Sequence, residues 1–169
     1  MLAFVGKSGS GKTTLAEKVI GILSGRGHRI GAIKRSHHRI SVDQPGKDSY
    51  RFREAGANPT VVAGDNFYAF MESCADPVSL ERLAGQFSGK ADMIIIEGFK
   101  NEAVPRFMVL TGLEENLADL KDDEELIGYI MISPAKSEYH GKPVFDRDDA
   151  QGLAAWIERN YLSSGEARP

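Results

Sequence analysis

Eight residues near the start of the chain, Gly6-Lys7-Ser8-Gly9-Ser10-Gly11-Lys12-Thr13, constrain the fold more than any other stretch. They make a complete phosphate-binding loop signature. The apolar run Leu2-Ala3-Phe4-Val5 precedes them, and Leu15, Val19, Ile22 and Leu23 follow at helical spacing, which is the strand–loop–helix setting the motif requires. The glycines permit backbone angles closed to other residues, so successive N–H groups can turn inward around a phosphate. The following helix adds its positive end. Lys12 is expected to neutralise the β- and γ-phosphates, and the Thr13 hydroxyl to ligate Mg²⁺. The nucleotide-binding set is then Gly6, Lys7, Ser8, Gly9, Ser10, Gly11, Lys12, Thr13 and Thr14.

The rest of the chain alternates strands and helices. Strands are expected over Arg29 to Lys34, Met93 to Ile96, Phe107 to Leu110 and Leu126 to Ile132. Helices are expected over Lys12 to Ser24, over Ser49 to Ala55, around Leu80 to Phe87, and from near Asp146. Met93 to Ile96 is the most apolar run, so it should be covered on both faces. Thr60 to Ala63 and Phe67 to Met71, separated by Gly64-Asp65-Asn66, read as two strands on a tight turn. The pattern predicts an α/β fold with a mostly parallel sheet, helices on both faces, and an antiparallel element at one side.

A second half of the site is sought in a carboxylate at the end of a buried strand. Ile94-Ile95-Ile96-Glu97 supplies one, facing the crevice where α/β ligands bind. Glu97 is longer than the more usual Asp, so it is expected to reach Mg²⁺ through water. Asp43 lies in the loop Asp43-Gln44-Pro45-Gly46-Lys47-Asp48-Ser49. That loop can reach the γ-phosphate side as switch loops do, and it is equally well an ordinary turn. Lys12, Glu97 and Asp43 are the expected catalytic set, with Thr13 and Glu97 at the metal. Adjacent residues on an extended segment point to opposite sides, so His37 and His38 make a poor zinc pair without a third ligand.

Composition narrows the classes. The 169 residues suit a single domain, read here as residues 1–162 with a frayed tail over 163–169. A net charge of −3 argues against a nucleic-acid coat. Cys74 is the one cysteine and has no partner for an intrachain disulfide. Met1 to Val5 lacks a basic leader, and no apolar run approaches the length of a membrane span. A cytoplasmic chain without membrane or nucleic-acid partners is expected. Charge is unevenly spread: Arg26, Arg29, Lys34, Arg35 and Arg39 have no acidic residue among them, whereas Glu114 to Glu125 is strongly acidic. The basic stretch is either a solvated face or a lip for an anionic ligand.

At this point the residues resemble a family, molybdopterin-guanine dinucleotide biosynthesis protein B (MobB). The resemblance rests on Gly6 to Thr14, Ile33-Lys34, His37-His38, the Asp43-x-Pro45-Gly46-Lys47-Asp48-Ser49 block, Ala55-Gly56-Ala57, Ile95-Ile96-Glu97-Gly98-Phe99-Lys100 and Pro143-Val144-Phe145. It implies a three-layer sandwich of the P-loop NTPase type, GTP with Mg²⁺, a homodimer, and an accessory role beside the MobA guanylyltransferase and other molybdopterin-handling proteins. Lys12, Thr13, Glu97 and Asp43 carry over as nucleotide and metal residues. No Asn-Lys-x-Asp motif occurs, and the chain reads Ser133-Pro134-Ala135-Lys136 after the strand at Leu126. Guanine preference is therefore implied by the family and not by any residue.

Competing classes make different demands. A small-molecule kinase needs a lid with arginines, and Ser133 to Pro143 contains Lys136 and Lys142 but no Arg. A metallochaperone GTPase would use His37 and His38. Lys7 resembles the lysine that some dimeric phosphate loops pass to a partner, and otherwise reads as a solvated side chain. No arginine can be named beside the loop from sequence, so hydrolysis is expected to be slow.

Overall fold

Strand β1 (Leu2–Val5) is buried at every position, because both of its faces are covered. Alternation sends Leu2 and Phe4 into one apolar cluster and Ala3 and Val5 into another, which is why the strand reads as an unbroken apolar run. In this computed structural model, which describes residues 1–36, 40–112 and 123–162, the chain continues through α1 (Lys12–Gly25), β2 (Ile30–Lys34), α2 (Asp48–Glu54), β3 (Thr60–Ala63) and β4 (Tyr68–Met71). Then come α3 (Leu80–Gly85), β5 (Met93–Glu97), β6 (Arg106–Val109), β7 (Leu126–Met131), β8 (Glu138–Tyr139), β9 (Lys142–Asp146) and α4 (Ala150–Ile157), with a π-helical turn over Glu158–Leu162. His37, His38, Arg39, the acidic run from 114 to 122 and the tail lie outside the described residues.

Two compact units result, one from residues 1–35 with 80–169 and one from residues 36–79. The larger holds a seven-stranded sheet ordered β2-β5-β1-β6-β7-β9-β8. Its strands are parallel except for β8, which pairs antiparallel with β9. Leu15, Val19 and Leu23 of α1 and Leu153 and Ile157 of α4 pack on the Leu2/Phe4 face. Leu80 of α3, with Leu83 and Phe87 beside it, covers the Ala3/Val5 face. This is the expected α/β sandwich with helices on both faces. Between β2 and β5, Asp92 accepts from the Arg29 backbone at 2.8 Å and from its guanidinium at 2.6 Å. Those bonds hold the Asp92 carboxyl at about 2 and pin the register at the start of both strands.

The smaller unit contains α2 and the hairpin β3–β4, whose register pairs Val61 with Phe70 and Ala63 with Tyr68. The antiparallel element expected at one side is thus a two-stranded sheet of its own. Period-2 alternation puts Val61, Ala63, Tyr68 and Phe70 on one face, and Val61, Tyr68 and Phe70 are 55%, 64% and 57% exposed.

The last helix starts at Ala150, not near Asp146: Asp149 is its cap and accepts from the Gly152 N–H at 2.8 Å, while Asp146 ends β9. The stretch Ser133 to Pro143, weighed above as a lid, carries β8 and the first residues of β9 and is tied to the sheet by their pairing. No helix among the described residues is long and apolar enough to cross a membrane.

Candidate functional site

The phosphate loop leaves β1 at the point where the sheet order turns, with β5 on one side and β6 on the other. Ligands of open α/β sheets bind at such switch points, outside the carboxyl ends of the strands. Gly11 begins α1 in the left-handed region, φ 89°, with no capping side chain and no acidic residue in the first turn. The helix's first N–H groups and its positive end are therefore offered to a ligand. Ser10 is buried beneath the loop. Its hydroxyl accepts from Lys12 Nζ at 3.2 Å, and Lys12 also donates to the Lys7 carbonyl. Burial lowers the Lys12 pKa; Glu97 draws it back up and Lys34 pushes it down. A partly desolvated ammonium lying across a cradle of loop amides has much to gain from a phosphate.

Glu97, at the end of β5, meets Thr13 across the crevice. The Thr13 hydroxyl donates to Glu97 Oε2 at 2.8 Å. Lys34, at the end of β2, donates to Glu97 Oε1 at 3.0 Å and to the Thr13 hydroxyl at 3.2 Å. The sequence pairing of loop and carboxylate is a spatial pairing. Lys34 belongs to this corner and not to a separate basic lip. Arg35 is likewise engaged, its guanidinium 4.9 Å from the Phe99 ring centre.

A hydroxyl and one carboxylate are hard oxygen donors that suit Mg²⁺, which usually takes one or two carboxylates together with substrate phosphates. The corner fits such an ion with one qualification: the Lys34 ammonium already stands among these oxygens and must move aside for it. Among the described residues no group of three His, Cys, Asp or Glu side chains is gathered to hold a metal. His37 and His38 lie outside those residues.

Asp43 is held within the smaller unit. Its Oδ1 accepts from the Gln44 N–H at 2.9 Å and the Ser49 hydroxyl at 3.0 Å. Its buried Oδ2 has no hydrogen bond and lies 3.5 Å from the Arg53 guanidinium. The carboxylate fastens the 43–49 turn onto the start of α2.

Sequence reasoning missed Arg147. It follows β9, its backbone N–H donates to the Met131 carbonyl at 2.8 Å, and its Nη1 reaches the Ser10 carbonyl at 3.4 Å. Its side chain lies so close to Gly11 that a Cβ there would sit 3.2 Å from Arg147 Cδ. The missing signal was β9 itself, in which only Val144 and Phe145 read as strand after Pro143.

Comparison with known proteins identifies relatives of this chain and its fold. The family described as molybdopterin guanine dinucleotide synthesis protein B matches residues 1–131. The chain is 37% identical over 161 residues to the molybdopterin-guanine dinucleotide biosynthesis adapter protein of Escherichia coli, covering 93% of this chain and 90% of that one. It is 46% identical over 110 residues to the adapter protein of Haemophilus influenzae, 64% of this chain and 62% of that relative's length. The crystal structure of Bacillus subtilis MobB superposes with a TM-score of 0.76 at 27% identity and 98% coverage of both chains. The chain belongs to the MobB family.

Proposed function

We propose that this chain is a GTP-binding adapter of molybdenum cofactor maturation that works in the cytoplasm beside a MobA-type guanylyltransferase and other molybdopterin-handling proteins. One observation carries the reading: in a member of this family, Lys12, Thr13 and Glu97 converge at an uncapped helix start beside a glycine cradle. The loop amides and Lys12 hold the β- and γ-phosphates, and Thr13 with Glu97 holds Mg²⁺. The ion, when bound, neutralises phosphate charge. Lys34 supplies that positive charge in the free chain and yields its place. Asp43 contributes by fixing the 43–49 turn. Hydrolysis is slow in this reading, on the order of 10⁻⁴ to 10⁻² per second, as in GTPases without a full catalytic set. The carboxylate beside Thr13, Glu97, is held by Thr13 and Lys34 and is poorly placed to orient water.

The test is guanylyl transfer to molybdopterin by a MobA-type enzyme at limiting GTP. Added protein should raise the yield, and Lys12→Ala protein should not. Equal yields with and without the parent protein would exclude the adapter role.

A homodimer is part of the same proposal. A two-stranded hairpin with one face of Val61, Tyr68 and Phe70 open to solvent is marginal by itself and is completed by a second apolar surface. Sedimentation equilibrium should give a dimer for the parent and a monomer for Phe70→Asp. A parent that stays monomeric at tens of micromolar, roughly the range for weak association, would remove the dimer.

A further inference from the structure

The nucleotide reading leaves the nucleoside without a seat, and the larger unit has a groove beside the start of α1. Lys12 marks the β/γ end of a bound nucleotide, so the α-phosphate and nucleoside run the other way, past Thr14 on the first turn of α1. That groove, of about 840 Å³, begins there. Thr14, Glu17, Lys18 and Gly21, spaced as one stripe of α1, form one wall, and Asp148 and Gln151 stand in the other. Its volume falls within the roughly 300–1,000 Å³ of small-molecule sites.

Of the turn between β9 and α4, Asp148 and Asp149 line this groove and Arg147 lies beside its loop end, against Gly11, while the backbone engages Asp146 and Asp149. Asp146 accepts from the Asp148 N–H at 2.9 Å, and Asp149 caps α4. Asp148 is exposed, lines the groove, and has no side-chain partner among the described residues. Arg147 lies against Gly11 and the Ser10 carbonyl with no carboxylate in ion-pair distance among the described residues. A guanidinium held this way is planar, weakly hydrated and able to stack on a purine.

We propose that Arg147 and Asp148 form the nucleoside end of the site and select guanine. This rests on the nucleotide reading and extends it to the base. Guanine presents N1–H and the N2 amino group side by side, and one carboxylate accepts both. Adenine presents the N1 lone pair at the corresponding edge, which repels a carboxylate. Asp148 thus takes the role left open by the missing Asn-Lys-x-Asp motif. Arg147 supports the purine face and holds the phosphate loop in register with it.

Equilibrium binding of GDP, XDP and ADP to the parent, Asp148→Asn, Arg147→Ala and Lys12→Ala proteins tests this. The parent should prefer GDP to ADP. Asp148→Asn should bind GDP about tenfold more weakly and XDP more tightly than the parent does, since the Asn amide donates to the xanthine 2-oxo group. Arg147→Ala should weaken GDP and ADP alike, because stacking tolerates either base. If Asp148→Asn leaves the GDP-to-XDP ratio unchanged while Lys12→Ala still loses binding, the guanine seat is elsewhere and the nucleotide reading stands. If the parent binds none of the three, both readings fall.

Discussion

Lys12→Ala protein is expected to bind GTP and GDP about tenfold to a hundredfold more weakly than the parent, with the fold intact. Charge-assisted hydrogen bonds contribute about 1.5–3 kcal/mol each, and every 1.4 kcal/mol is about tenfold in affinity. Burial lowers the Lys12 pKa, so the ammonium has already lost part of its hydration before any phosphate arrives. That part of the desolvation cost no longer opposes binding. The fold survives because Lys12 opens α1 at its first position, where alanine is a good helix former, and its two internal bonds are to its own loop. Titration calorimetry reads the affinity and thermal unfolding the fold. Parent-like affinity in a protein of parent-like stability would remove Lys12 from the phosphates and the loop from its function.

The residues that were legible in the sequence are those whose role is written in local pattern. Glycine spacing, an apolar tetrad on either side of the site and a carboxylate at a strand end locate Lys12, Thr13 and Glu97 without any tertiary information. What stayed hidden depends on strand order. Arg147 stands 135 positions beyond Lys12 in the chain. It reaches the loop because β9 joins the sheet parallel to β7 and ends level with it, Met131 opposite Asp146. A five-residue strand containing Pro143 and only two strongly β-prone residues carries too little periodicity to reveal that. Lys34 illustrates the same limit. As one of several basic residues in a row it looks like part of a charged lip, and only the parallel register of β2 on β5, Lys34 opposite Glu97, turns it into the counterion of Glu97. The start of α4 was misplaced for a simpler reason: Asp146, Asp148 and Asp149 all qualify as caps by type, and only geometry selects Asp149.

Gly6→Ala should be the most damaging single-methyl change in the molecule, and Gly9→Ala, three residues on in the same loop, should be mild. Gly6 has φ 145°, a region open to glycine, and a Cβ there would lie 2.3 Å from the Val109 carbonyl oxygen and 3.2 Å from its carbon. Val109 ends β6, which is paired on one side with β1 and on the other with β7, so the obstructing carbonyl cannot withdraw without opening both ladders. Side-chain rotation relieves nothing, because both colliding groups are backbone. Backbone strain of about 1–3 kcal/mol adds to the steric term, and the total is expected near 3–5 kcal/mol. For a chain of this size that lowers the unfolding midpoint by about 10 °C. The chain's cheaper escape is to swing the loop away from β6. That would scatter the amides of the cradle, so nucleotide binding should be lost even below the unfolding transition. Gly9 also has positive φ, 78°, but nothing lies within 4 Å of its added Cβ. It should cost about 1–2 kcal/mol, the conformational penalty alone. Scanning calorimetry of both variants, with GDP titration at 20 °C below each midpoint, roughly far enough for the native state to dominate, separates the two. A Gly6→Ala protein with the parent's midpoint and affinity would mean that the loop does not leave β1 against β6, and the close approach that shapes the phosphate cradle would have to be given up.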